Sequence, residues 1–440
     1  MLTRLCTAVA SGLAALMTGG LGMTSPPPPA PAPPVGQSWV ADLGTGNGMN
    51  VAYRGGVLNL TAKSGLLTLP AQHLHTRVSR INPALAARTP PGSVVEVDVR
   101  GLMADGLWSE WLPTTASNPA SLPGPSDLVQ VRVLLAGDLA GRPARPTVRA
   151  LRLTGQLMPN LRIAAPPGDP AAYQVIATRE GLVDGRTANG HRIQPHDLFV
   201  ALPSHRALAD TDGSEYTVKV CSRAGFCAWA PVWDIGPWNT TDDYWSLGRE
   251  QFTDLPTGTP EAQAAFRDGA NGGRDGSGRK VTNAAGIDLS DGVYNDVLGL
   301  SGNAQVNVSY LWTGNIPLST VSAKADPEQN EDKPAASSDN PTGDPTDSST
   351  SNPTGTQSGN PASFASLSTG QPSTTPDSLV REHSVTVRTA PDVSSPPAGL
   401  AADRAGVPVR CQTSNGWLRI DPDAYLPAVT VSLATPVRPC

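Results

Sequence analysis

The sequence predicts a mainly β protein made of several small domains. Three observations carry this reading. The chain has 440 residues, room for two to four domains. It contains 44 Gly and 44 Pro with only 5% aromatics, a composition that favours turns. Its apolar residues alternate with polar ones in short runs bounded by turn residues, and long helical periodicity is hard to find.

Met1-Leu-Thr-Arg4 followed by the apolar run Leu5 to Met23 reads as a secretory signal over residues 1–24. Residues 25–37 are Pro-rich and expected to be extended. Over 38–160, Val57-Leu-Asn-Leu60, Val94-Val-Glu-Val-Asp-Val99, Val129-Gln-Val-Arg-Val-Leu134 and Val148-Arg-Ala-Leu-Arg-Leu153 alternate apolar and polar residues. One face in and one face out predicts an antiparallel β-sandwich. Trp108 and Trp111 sit in a connecting stretch, where they would either stack on sugar or pack into the sandwich. Residues 170–314 hold six short strand candidates with Gly-, Pro- and Asp-rich connections, which suits a small closed barrel. Residues 315–380 have too few apolar residues to order themselves and read as a disordered linker. Residues 381–440 form a last small unit of short strands.

The formal net charge of −6 comes from the linker, where eight acids face Lys324 and Lys333. The folded parts therefore have no basic surplus to attract nucleic acid or anionic lipid. Beyond the signal no segment is apolar enough to span a bilayer. Setting aside Cys6 in the signal, four cysteines remain in two local pairs, Cys221/Cys227 and Cys411/Cys440. In an exported chain these read as disulfides. No oligomerisation device is visible, so a secreted monomer is expected.

The densest chemistry lies in Trp229-Ala-Pro-Val-Trp-Asp-Ile-Gly-Pro-Trp238, with a second acid in Ile287-Asp-Leu-Ser290. A carboxylate beside flat aromatic faces suits a sugar polymer. Asp234 and Asp288 are the candidate catalytic acids. Asp234 has an alternative role in capping its own turn, and Asp288 in bonding nearby backbone. Trp233, Trp238, Tyr244, Trp245 and His191 are the candidate substrate-binding residues; the loop aromatics Trp238, Tyr244 and Trp245 are the ones expected to be exposed. His191, His196 and His205 lack metal-motif spacing and have no close acid to complete a ligand set, so neither a metal nor any other cofactor is expected. No nucleophile elbow or phosphate loop is present.

Thr187-Ala-Asn-Gly190, Phe199-Val-Ala-Leu-Pro203, Asp234-Ile-Gly-Pro237 and Ile287-Asp-Leu-Ser290 occur in a telling order. It resembles that of the double-psi β-barrel of rare-lipoprotein-A-like and expansin-like proteins. The resemblance implies a double-psi barrel acting on cell-wall glycan, by lytic cleavage or by loosening without cleavage. The chain departs from the family at three positions: Leu202 aligns with the family's histidine, His191 with its glutamate and Ile235 with its arginine. Val385-Thr-Val-Arg-Thr-Ala-Pro391, Gly406-Val-Pro-Val-Arg-Cys411 and Gly416-Trp-Leu-Arg-Ile420 resemble a bacterial SH3 domain. That likeness implies a wall-binding tail, tethered to the barrel by the linker. The expected function is binding and remodelling of peptidoglycan or a similar polysaccharide without hydrolysis. The alternatives are a lytic transglycosylase-like enzyme with Asp234 as acid/base, and an inert wall-binding or adhesion protein.

Overall fold

A computed structural model describes residues 36–137, 145–158, 168–211, 213–326 and 383–440. The expected signal (1–24), nearly all of the Pro-rich segment and the linker residues from 327 to 380 lie outside the described residues.

The first module contains β1 (Gly36–Val40), β2 (Asn47–Met49), β3 (Val51–Arg54), β4 (Val57–Leu60), β5 (Ser64–Thr68), β6 (Gln72–Arg88), β7 (Val94–Gly101), β8 (Leu112–Pro113), β9 (Ala120–Ala136) and β10 (Thr147–Gln156). Every pairing among them is antiparallel. The long β9 pairs with β6 through its first part and with β5 and β7 through its last, so one strand serves both layers of the sandwich. Alternation builds the core: Val97 and Val99 of β7, Val129, Val131, Val133 and Leu135 of β9, and Leu151 and Leu153 of β10 are all buried.

The polar face of β7 and β9 does not face water. Asp98 is 0%, Arg132 1% and Arg100 2% exposed, because the second module covers them. Trp111 is the centre of that junction. Its indole N–H donates to the Leu208 carbonyl at 3.2 Å, and its main-chain N–H to Arg206 at 2.9 Å. The guanidinium carbons of Arg100 and Arg132 lie 4.2 and 4.4 Å from its ring centre. Trp111 thus takes the packed alternative rather than stacking on sugar, and Trp108 sits half-buried with Arg100 4.7 Å from its ring centre.

The second module is the expected barrel: β11 (Ala171–Arg179), β12 (Val200–Leu202), β13 (Thr217–Cys221), β14 (Cys227–Ile235), β15 (Ala285–Leu289) and β16 (Ala304–Tyr310). The pairings run β11–β16–β13–β14–β12–β15 and return to β11, so the sheet closes with no free edge in the ring. Two of the six pairings, β11 with β15 and β12 with β14, are parallel. Parallel neighbours need crossover connections, and two of them in one six-stranded ring give the double-psi topology. Cys221 and Cys227 face each other across the β13–β14 hairpin and are bonded.

The third module contains β17 (Leu318–Val321), β18 (Ser384–Arg388), β19 (Pro397–Ala402), β20 (Gly406–Pro408), β21 (Cys411–Gln412), β22 (Trp417–Asp421), β23 (Ala424–Pro427) and β24 (Val431–Ser432). It is the expected small SH3-like barrel, with Cys411 bonded to Cys440. Two expectations are corrected. Leu318–Val321, assigned to the linker, forms a strand that pairs with β20 and β24, because its apolar Leu318 and Val321 have a sheet to join. The tail is also not a tethered searcher. β19 runs parallel to β14, pairing Cys227 with Gly399, Ala228 with Leu400 and Trp229 with Ala401. Trp229, Val220, Leu400, Val387 and Leu418 belong to one continuous core.

That seam needs a glycine. A Cβ on Gly399 would lie 1.8 Å from the Cys227 carbonyl oxygen. Gly399→Ala is expected to lower stability by about 1–3 kcal/mol in urea unfolding and to expose β19 to protease. Trp111→Ala, which removes the packed indole between the first two modules, is expected to cost about 3–5 kcal/mol by the same measurement. A loss within error of zero for either variant would remove that residue from its structural role.

Candidate functional site

Between the two parallel seams of the barrel lies the antiparallel pairing of β15 with β12. The middle residue of β12, Ala201, is the register partner of Asp234 on β14 and of Asp288 on β15. The two predicted acids therefore flank one small buried residue on strands one removed from each other. Strand spacing alone separates their backbones by about 9–10 Å. Both side chains are partly exposed, while Ala201 is buried.

Asp234 Oδ1 accepts two main-chain N–H bonds, from Ala188 at 2.9 Å and from Ile235 at 2.8 Å. The first ties β14 to the Thr187–Gly190 turn; the second is the self-capping bond that an acid before a Gly-Pro turn can make. Asp288 accepts a hydroxyl hydrogen bond from Thr178, its register partner on β11. Its other oxygen lies 3.8 Å from the place a Cβ would take on Gly236, so the turn after Asp234 closes over Asp288. Burial first, and then the charge of Asp234, raises the Asp288 carboxyl above its ordinary value; the Thr178 hydroxyl opposes this.

A third carboxyl, which no motif marked, completes the group. Glu180 follows β11 directly, and its N–H donates to Leu289 of β15 at 2.9 Å. Its Oε2 is buried without a hydrogen-bond partner. Burial, a hydrogen bond with Asp234, and the negative charges of Asp234, Asp288 and Asp291 push this carboxyl up to about 10. Glu180 thus holds a proton at neutral pH while facing two other acids. Arg179, paired with Asp291 at 2.6 Å, is the cation at this edge. Just beyond Glu180, Leu182 and Val183 expose apolar side chains.

The aromatic residues are distributed differently from the expectation. Tyr244 is 0% and Trp245 2% exposed. The Tyr244 hydroxyl donates to Gly286 at 2.9 Å and accepts from Tyr310 at 2.7 Å. Trp245 stacks on Tyr310 and donates its indole N–H to Glu110 of the sandwich at 2.7 Å. Both are core residues with no face free for a ligand; their polar tips find partners on neighbouring strands and on the first module, which sequence spacing does not reveal. Trp233 is also buried, with the rings of His191 and Phe199 4.4 and 5.7 Å away. His191 is part-exposed, and its Nε2 lies 2.7 Å from Asp197, which also accepts from the Gln194 N–H. This bonding makes His191 a builder of its own turn. Trp238 alone of the loop aromatics keeps exposure; its indole donates to Asn283, and it packs on Ala262 and Ala265 of the helix α1 (Glu261–Asp268). Leu202, aligned with the family's histidine, is fully buried and offers no chemistry.

A family model described as a domain of unknown function (DUF8814) matches residues 171–309, from the first residue of β11 to the last but one of β16. No curated protein matches the chain.

The raised Glu180 carboxyl has a consequence for stability. Folding moves it from 4.5 to about 10, so across that window the folded chain holds a proton the unfolded chain releases. Its contribution is complete below about 4.5 and declines as pH climbs toward about 10. Glu180→Gln cannot ionise. Its melting temperature is expected to exceed the parent's by a margin that widens from about pH 5 to about pH 9, read in a thermal-melt series. Parallel curves for the two proteins would show that Glu180 ionises freely.

Proposed function

We propose that this chain is an exported protein that acts on a cell-wall polysaccharide, peptidoglycan or a similar glycan, at the mouth of its double-psi barrel, and that it cleaves the polymer by acid–base chemistry. The observation that carries the reading is the grouping of three carboxyls, Asp234 and Asp288 across Ala201 and Glu180 at the end of β11, where burial and the neighbouring acids push Glu180 well above the ordinary carboxylate range. A carboxyl held protonated by burial and like charge is what general-acid attack on a glycosidic oxygen requires. The proton held between Glu180 and Asp234 passes to the glycosidic oxygen as its bond to the anomeric carbon breaks. Asp288, across Ala201, stabilises the positive charge that develops on the sugar ring. A hydroxyl of the same sugar then closes on that carbon and returns a proton to the pair, so no water is consumed. The two disulfides support export, and the resemblance of the motif order to wall-active barrels supports the choice of polymer.

The burial of Tyr244 and Trp245 leaves Trp238 as the part-exposed member of the three loop aromatics and weakens the case for a binder that works by stacking alone. One observation favours that second reading, loosening without cleavage: Leu202 stands buried where the lytic relatives carry histidine.

Purified peptidoglycan incubated with the chain is expected to yield soluble anhydro-sugar fragments. Glu180→Gln and Asp234→Asn should each lower their release by at least about 10²-fold while pull-down of the chain on the polymer persists. Pull-down without any product from the parent protein would favour the loosening reading. Absence of both product and pull-down would end the proposal.

A further inference from the structure

Away from the barrel mouth, the junction of the first two modules holds a second group of ionisable side chains. β7 presents Glu96 and Asp98 on the face that meets the barrel. Opposite them a short 3-10 turn, His205–Ala207, presents His205. One potential ligand atom from each of Glu96, Asp98 and His205 falls within 4.8 Å of the others. Glu250 approaches from the same side, its Oε2 3.7 Å from His205 Nε2.

Three atoms of this group are buried without any hydrogen-bond partner: Asp98 Oδ1, His205 Nε2 and Glu250 Oε2. Asp98 is 0% and His205 3% exposed. Leaving such atoms unmade is costly, and the gaps between them are too wide for direct bonds. His205 Nε2 lies 3.9 Å from Asp98 Oδ2 and 3.7 Å from Glu250 Oε2. Two ligands about 2.1 Å from one tetrahedral ion stand about 3.4 Å apart, close to this spacing.

The surroundings hold the group in place. Arg132 donates to Asp98 Oδ2 at 2.8 Å and to the His205 carbonyl at 2.7 Å, tying an acid of one module to the main chain of the histidine in the other. The His205 N–H is fixed on the Thr240 carbonyl at 2.9 Å, and the Glu250 N–H on Asp243 at 2.8 Å. These bonds fix the main-chain positions from which the two side chains reach the group. The other nearby cation, Arg206, is engaged by Asp243 and Glu110.

We propose that Glu96, Asp98 and His205 bind one divalent transition-metal ion of the Zn2+ type, with Glu250 standing beside His205 at the edge of the site, and that this ion bolts the sandwich to the barrel. One imidazole nitrogen with carboxylate oxygens is a donor set suited to such an ion rather than to Ca2+ or Mg2+, which favour oxygen alone. Aspartate and glutamate come from β7 and histidine from a turn more than a hundred residues later, so the ligand set exists only when both modules are folded together.

Isothermal titration tests this. The purified chain, stripped with chelator and dialysed, is titrated with ZnCl2, with CaCl2 and MgCl2 in parallel. The expected result is one Zn2+ per chain with micromolar or tighter affinity and much weaker Ca2+ and Mg2+ binding. His205→Asn and Glu96→Gln should each weaken Zn2+ at least tenfold and abolish the rise in melting temperature that Zn2+ gives the parent. Glu96→Gln preserves size and leaves the Arg132–Asp98 bond untouched, so it reports on the site even where His205→Asn disturbs folding. His196→Asn, which alters a histidine paired with Asp296 elsewhere, should bind as the parent does. No Zn2+ binding by the parent, or undiminished binding by both Glu96→Gln and His205→Asn, would overturn the proposal.

Discussion

The rest of the structure depends on two guanidinium groups buried against one indole. Arg100 and Arg132 leave the polar face of the sandwich and pack on Trp111. Arg100 finds its acids across the junction, Asp210 and Glu215 of the barrel, while Arg132 pairs with Asp98 of its own module and donates to the carbonyl of His205 across it. Taking such charges from water costs several kcal/mol per ion unless partners are placed well. Arg100 therefore fixes the geometry of the junction: without Asp210 and Glu215 it is a buried cation with no acid beside it. Next to Trp111, Glu110 accepts the indole N–H groups of Trp245 at 2.7 Å and Trp312 at 3.0 Å, so the barrel's aromatic core is anchored on a residue of the neighbouring module.

This constraint explains which parts of the chain were legible. Alternation in Val94–Val99 and Val129–Leu134 revealed the strands and their apolar face. It could not reveal that the polar face would be covered, because Asp98, Arg100 and Arg132 look like solvated residues until a partner module is placed over them. Tyr244 and Trp245 misled for the same reason: a loop carrying aromatics reads as exposed, yet Tyr310, Gly286 and Glu110 supply a buried seat. The closed barrel and both cysteine pairings were readable from short-range patterns. The docking of the tail through Gly399 was not, since it rests on a contact between residues far apart in sequence.

At the barrel mouth the division is finer. Asp234 and Asp288 were visible because each sits in a recognisable turn or strand motif, and the fold sets them on either side of Ala201. Glu180 carries no motif. Only the parallel register of β11 against β15, which pairs Thr178 with Asp288, brings it to the same place. Parallel pairing is a property of the crossovers, and no local pattern encodes it. The residue with the most perturbed acidity in the group is thus the one that periodicity could not single out.

The return path of the chain also changes how the third module should be understood. β17 lies in that module before residues 322–383, and β18 resumes it afterwards. The passage between them is an excursion that leaves and re-enters a single small barrel, rather than a bridge joining separate bodies. The β14–β19 seam, rather than the number of residues in that passage, sets where the third module stands against the barrel.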